Sequence, residues 1–177
     1  MNYSNEITIR VQNVDQMLID PKAPAYFRRK LNEETERFII EEAVALPLHE
    51  PINLKVLVPE SEFARGAEIT DAICQHFANR RKKSEKQLKD VMKLGWSSLV
   101  IGIGFVGLIL VLTQIGSQIL PKGRLEITIR ESLIIIGWVA LWRPAELLLY
   151  EWRPFKSEAI LFGRLQECNV RVIEEKS

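Results

Sequence analysis

The sequence predicts an α+β membrane protein: a small three-stranded sheet with flanking helices, split by an inserted two-helix transmembrane hairpin. Three observations carry this. Residues 94 to 121 form a run of 28 without Asp, Glu, Lys or Arg. A second apolar stretch, Ser132 to Trp152, follows at once. Polar–apolar alternation with a period of two, the pattern of a half-buried strand, occurs near both ends of the chain, outside these runs.

The elements follow in order. Glu6 to Val11 (EITIRV) places Ile7, Ile9 and Val11 on one face and predicts a strand. A turn-rich stretch with Asp20, Pro21 and Pro24 comes next. A helix is expected over about Ala25 to Leu46, with Phe27, Leu31, Thr35, Phe38, Ala43 and Leu46 near one face. Pro47 stops it, because the residue before proline is pushed out of the α region. Ile52 to Val58 (INLKVLV), between Pro51 and Pro59, reads as a second strand. A helix beginning near Ser61 carries Phe63, Ala67, Ile69, Ile73 and Phe77 as its stripe. From Asn79 to Gln87 every residue is polar, and no proline or glycine intervenes before Gly95, so one helix is expected to continue into the uncharged run.

About 20 apolar residues cross a bilayer core, so 94–121 reads as a span, with Trp96 near the entering interface. The second span is less clean. Ser132 to Trp142 is an uncharged run of 11, but Arg143 and Glu146 follow. Each charge costs about 2.5–3.5 kcal/mol at mid-bilayer and less near an interface. Their i, i+3 spacing lets them meet, arginine snorkels, and Trp138, Trp142, Tyr150 and Trp152 give an aromatic zone. The expectation is a short span ending near Trp142, with an interfacial turn at Pro144. Pro154 to Gln166 is a final helix with Ile160, Leu161 and Leu165 apolar, and Cys168 to Ile173 (CNVRVI) a third strand.

This gives residues 1–79 as the main part of a cytoplasmic domain, 80–93 as a basic helical stalk, and 94–121 as the first span. Residues 122–130 are a short external loop, 131–152 the second span with its interfacial end, and 153–177 a helix and strand completing the domain. Arg80, Arg81, Lys82, Lys83, Lys86, Lys89 and Lys93 precede the first span, which the positive-inside rule places on the cytoplasmic side. Two spans return the carboxy terminus to that side, as a split domain requires. The opening MNYSNEITIRV lacks a basic region followed by an apolar run, so the first span is expected to act as its own insertion signal.

Composition narrows the function classes. With 24 basic and 23 acidic residues the net charge is +1, so no nucleic-acid partner is expected. The seven stalk cations suit anionic lipid headgroups as well as topology. Cys74 and Cys168 are too few and too far apart for a disulfide framework or a thiolate metal site. His76 is two residues from Cys74, which a helix points apart, and His49 lies in a loop. No phosphate loop, nucleophile elbow or zinc-helix motif occurs, so no cofactor is implied and an enzyme is disfavoured.

Two segments stand out. Gly102, Gly104 and Gly107 in the first span and Gly137 in the second allow close helix packing, although no pair has the four-residue dimerisation spacing. The motif WRP occurs at Trp142 to Pro144 and again at Trp152 to Pro154. It points to a membrane-depth anchor, or to a ligand or ion site built around Arg143, Glu146 and Glu151 with Trp142 and Trp152. The pentapeptide EITIR recurs at Glu126 to Arg130, where it could form a short extended piece of the external loop.

The segment ESLIIIGWVALWRPAELLLYEWRP, together with the basic stalk and the glycine-bearing first span, resembles small uncharacterised bacterial inner-membrane proteins with two spans. The likeness covers most of the chain after Asp20. It implies a membrane location and carries no activity with it. The expected role is a membrane-anchored interaction or regulatory module, self-associating and acting on a cytoplasmic protein partner. The alternative is an oligomeric pore or membrane-disrupting effector. Against it, the first span has no polar stripe: Ser97, Ser98, Thr113 and Gln114 sit at its ends.

Overall fold

A computed structural model describes residues 6–18, 30–47, 50–119 and 123–175. The expectations for Asp20, Pro21, Pro24, Phe27, His49, Pro121 and Lys122 fall outside these residues. The chain divides into two compact units. The first comprises Met1–Ser84 with Ser157–Ser177, the second Glu85–Lys156.

The first unit is built on a three-stranded sheet in the order β1 (Glu6–Arg10), β2 (Asn53–Val58), β3 (Asn169–Glu174). Both pairings are parallel, with Ile9 opposite Val56 and Val56 opposite Val172. Parallel neighbours need long crossovers, and the chain supplies them. A short helix α1 (Val14–Met17) and α2 (Glu33–Ala45) lie between β1 and β2. The passage from β2 to β3 holds α3 (Glu60–Phe63), α4 (Gly66–Ile119), α5 (Arg124–Glu146) and α6 (Arg153–Gln166).

The core of this unit forms as alternation and helical periodicity dictate. Ile7 and Ile9 of β1 and Leu54, Val56 and Val58 of β2 are buried. Against them pack Ile39 and Ala43 of α2, Ile69, Ala72, Ile73 and Phe77 of α4, and Phe162 and Leu165 of α6. The rings of Phe77 and Phe162 stack at 6.2 Å. Arg164 ties α6 down by donating to the carbonyls of Pro47 and Glu50 at 2.6 and 3.0 Å.

Several local expectations are corrected. The helix expected from Ala25 is not helical at residues 30–32. Leu31 bridges Leu18 instead, and α2 starts at Glu33 because Asn32 caps it, accepting from the Thr35 N–H at 2.7 Å. Its buried face is Glu36, Ile39 and Ala43, about one residue round from the predicted stripe, so Phe38 is exposed. A carboxylate turned inward is invisible to a polarity pattern. Phe63 and Ile160 are likewise exposed, while Phe162 takes the core position on α6.

The second unit contains two long apolar helical stretches. Of the most apolar part of α4, only 11% is buried, and of the corresponding part of the Ile127–Gln166 helical stretch, 17%. Both are long and apolar enough to cross a membrane. Residues 124–130, expected as part of the external loop, are helical. A lone strand there would leave its backbone groups unpaired, whereas a helix satisfies them within the segment. The turn expected after Trp142 is also absent. Pro144 sits inside α5, and a π-helical turn, Leu147–Glu151, follows it. Proline removes one N–H from the helical ladder. Just beyond it the Leu147 N–H is shared between the Arg143 and Pro144 carbonyls, and the wider turn that follows continues the helix rather than breaking it.

Candidate functional site

Two polar constellations emerge, one in each unit. In the first unit, the packing of α2 on α4 brings Glu36 to His76 and Arg80. The Glu36 side chain is only 10% exposed, and a carboxylate so buried must be paired. Arg80 donates through Nε and Nη2 to Glu36 Oε1. Glu36 Oε2 lies 3.2 Å from His76 Nε2, close enough for electrostatic attraction but too bent for a well-aligned hydrogen bond. His76 Nδ1 accepts the Leu31 N–H at 3.2 Å, which fixes the tautomer of the neutral ring with its proton on Nε2, facing the carboxylate.

Burial holds the His76 imidazole below its ordinary value. Glu36 opposes this, and Arg80 reinforces it. The histidine is therefore neutral near pH 7, and its hydrogen bond is the one it accepts from Leu31. Arg80 is steadied further by lying over the Phe162 ring, 5.8 Å from its centroid. Around this triad opens a cleft of about 650 Å³, whose walls include Lys30, Leu31, Glu33, Arg37, Ile40, Asn79 and Lys83. Sequence reading missed the site. The spacing of His76, Arg80 and Lys83 puts them on one helix face, but Glu36 stands 44 residues away from Arg80, joined to it only by the fold.

In the second unit, Arg143 Nη1 donates to Glu146 Oε2 at 3.1 Å and to Glu151 Oε1 at 2.7 Å. The π turn explains the second contact. At about 100° per residue, eight residues of α-helix end about 80° from the starting face. A π turn rotates less per residue, so Glu151 swings back over Arg143. One guanidinium thus faces two carboxylates, all partly exposed. Trp142 beside it is 75% exposed. Trp152 is half-buried under Lys156, whose Nζ is 5.3 Å from its ring centroid. The three ionic residues singled out from sequence therefore meet, while the two tryptophans take different environments.

The stalk cations divide. Arg80 pairs with Glu36, and Arg81 lies against Gly163 and within 3.7 Å of Glu167. These two side chains take part in the packing of the first unit. Lys82, Lys83, Lys86, Lys89 and Lys93 are exposed. The glycines also divide. A Cβ on Gly102 would sit 3.0 Å from Leu141 and 3.5 Å from the Ala140 carbonyl, and one on Gly137 3.5 Å from Val106. Gly104 and Gly107 face open space. Gly95, which sequence reading passed over, is the tightest, 2.7 Å from Leu148.

Burial pushes the Cys168 thiol up to about 12 and also raises Cys74. Both are free and poorly reactive. Among the described residues no group of three or more His, Cys, Asp or Glu is arranged to hold a metal. No protein-family model, no curated protein and no solved structure matches this chain.

Proposed function

We propose that the chain is an integral membrane protein whose apolar helices form a transmembrane hairpin inserted into an α/β domain. The domain serves as an interaction module, held at the cytoplasmic face of a bacterial inner membrane with both termini on that side. The observation that carries this is exposure. Ile101 is 72% and Val100 67% exposed, and Trp138 and Trp142 about three-quarters exposed. An apolar surface of this extent is not sustained in water, and a helix of a soluble core would be mostly buried. The five exposed lysines from Lys82 to Lys93 support the orientation and suit anionic headgroups.

Self-association and a cytoplasmic protein partner belong to the same proposal. Gly104 and Gly107, unused within the second unit, leave one flank of α4 open to a second copy. Alkaline carbonate extraction of cell membranes tests the anchoring. The protein should stay in the pellet and be released only by detergent. Release into the carbonate wash would exclude an integral protein. Native mass spectrometry from lipid nanodiscs then distinguishes a dimer from a ring, and a ring of four or more copies would favour the pore alternative.

A further inference from the structure

We propose that the cleft between α2 and the amino-terminal part of α4 is a binding site for a phosphate monoester, gripped by Arg37, Arg80 and Lys83. The proposal concerns the first unit alone and stands whether or not the second unit enters a membrane.

Charge is the first argument. The lining holds four basic residues, Lys30, Arg37, Arg80 and Lys83, against two acidic ones, Glu33 and Glu36. With His76 held neutral, the lining carries a surplus of two positive charges, with Arg37 also 4.0 Å from Glu41 on its solvent side, and this net positive wall suits a monoester, which carries about −1.5 to −2 near pH 7. Preorganisation is the second. Arg80 is fixed on one side by Glu36 and stacked on Phe162, so its guanidinium is oriented before any ligand arrives. A guanidinium has five N–H donors, and only Nε and Nη2 are committed to Glu36. A fork held in this way is suited to a phosphate oxygen.

Size is the third. A volume of about 650 Å³ falls within the range of small-molecule sites, roughly 300–1,000 Å³, and exceeds what a bare phosphate fills. Ile40, half-buried in the wall, offers apolar contact for the organic part of an ester. His76, 3.2 Å from Glu36 Oε2, closes the inner side of the carboxylate that holds Arg80. The same chemistry is presented by a soluble phosphorylated metabolite and by a lipid headgroup with a terminal phosphate.

Titration of the full chain in phosphatidylcholine nanodiscs with phenyl phosphate, followed by calorimetry, tests the site. Saturable binding is expected. It should weaken about tenfold in Arg37→Gln and in Lys83→Gln, each of which removes one charge-assisted contact. Both side chains are exposed, so the variants should fold as the parent does, and an unchanged thermal midpoint checks that. Phenyl sulfate, a monoanion, should bind more weakly. Nanodiscs that also contain phosphatidic acid separate the sources. Competition with phenyl phosphate identifies the headgroup, and undiminished phenyl phosphate binding identifies a soluble ligand. Absence of saturable phenyl phosphate binding up to millimolar concentration, or binding indifferent to both substitutions, overturns the proposal.

Discussion

The two units of this chain use the same apolar residues in opposite ways. In the first, Ile39, Val56, Ile69, Ile73 and Phe77 are 0% exposed. In the second, Val100, Ile101, Ile135 and Val139 are more than 60% exposed. Hydrophobic burial contributes roughly 25 cal/mol per Å² only when something takes the place of water. In the first unit that role falls to a sheet and the helices packed on it. In the second the protein does not supply it, and the proposed lipid does. The contrast also appears in miniature. EITIR at Glu6–Arg10 is a strand with Ile7 and Ile9 buried, and the same five residues at Glu126–Arg130 are helical. Local sequence does not decide between them; a partner strand, Asn53–Leu57, is present in one place and the helix of α5 continues in the other.

This contrast predicts opposite responses to mutation. The largest effect is expected in the first core, where Phe77→Ala should lower stability by about 3–5 kcal/mol, read from denaturant unfolding of the full chain in nanodiscs. Ile101→Ala should leave the same transition unmoved. If the two behaved alike, the division into a self-covered core and an externally covered surface would fail. The complementary change is Leu108→Asp, at a 54% exposed position of α4. It should cost insertion about 2.5–3.5 kcal/mol if lipid lies there, seen as a loss of the membrane-integrated fraction. Indifference to a charge at this site would point to water.

The buried ion pair offers an intermediate test. Glu36→Ala removes the carboxylate that pairs the Arg80 guanidinium, and should destabilise the first unit by about 1–3 kcal/mol. His76 adds a pH dependence of definite sign. Its folded-state value lies below the ordinary 6.5, so the unfolded chain binds more protons in the interval between the two. Stability is therefore complete above pH 6.5 and falls as the pH drops through that interval. Unfolding midpoints measured across this range should show the slope in the parent and a shallower one in His76→Gln. The smallest effects concern the glycines. Gly95→Ala should destabilise by about 1–2 kcal/mol through its clash with Leu148. Gly104→Ala, in open space, should be neutral or stabilising by up to about 1 kcal/mol, with detergent melting curves as the readout.

Much of the fold was legible because its signals are periodic and long. Ile7, Ile9, Leu54 and Val56 alternate cleanly, and Ile69, Ile73 and Phe77 recur at helical spacing. The mixed helix and three-stranded sheet follows from them. The face of α2 was misread because Glu36 faces inward, and hydropathy assigns every carboxylate to solvent. The continuation of α5 past Pro144 was misread because a π turn has no composition signal. The Arg143–Glu146 pair was legible at its i, i+3 spacing. Glu151 had been grouped with the pair, but its direct contact with Arg143 depends on that same π turn. The cleft around Glu36, His76 and Arg80 was not legible at all, since it joins two helices through a sheet neither belongs to.

The central claim is that the second unit crosses a bilayer, and Gly123, at the amino-terminal end of α5, is the place to test it. A Gly123→Cys variant is exposed in intact cells, with the outer barrier made permeable, to a membrane-impermeant maleimide. Cys74 and Cys168, with their raised pKa values, should react slowly, and the parent chain is the control. Gly123→Cys is expected to be labelled from outside, before lysis. Labelling that appears only after the cells are broken open would contradict it.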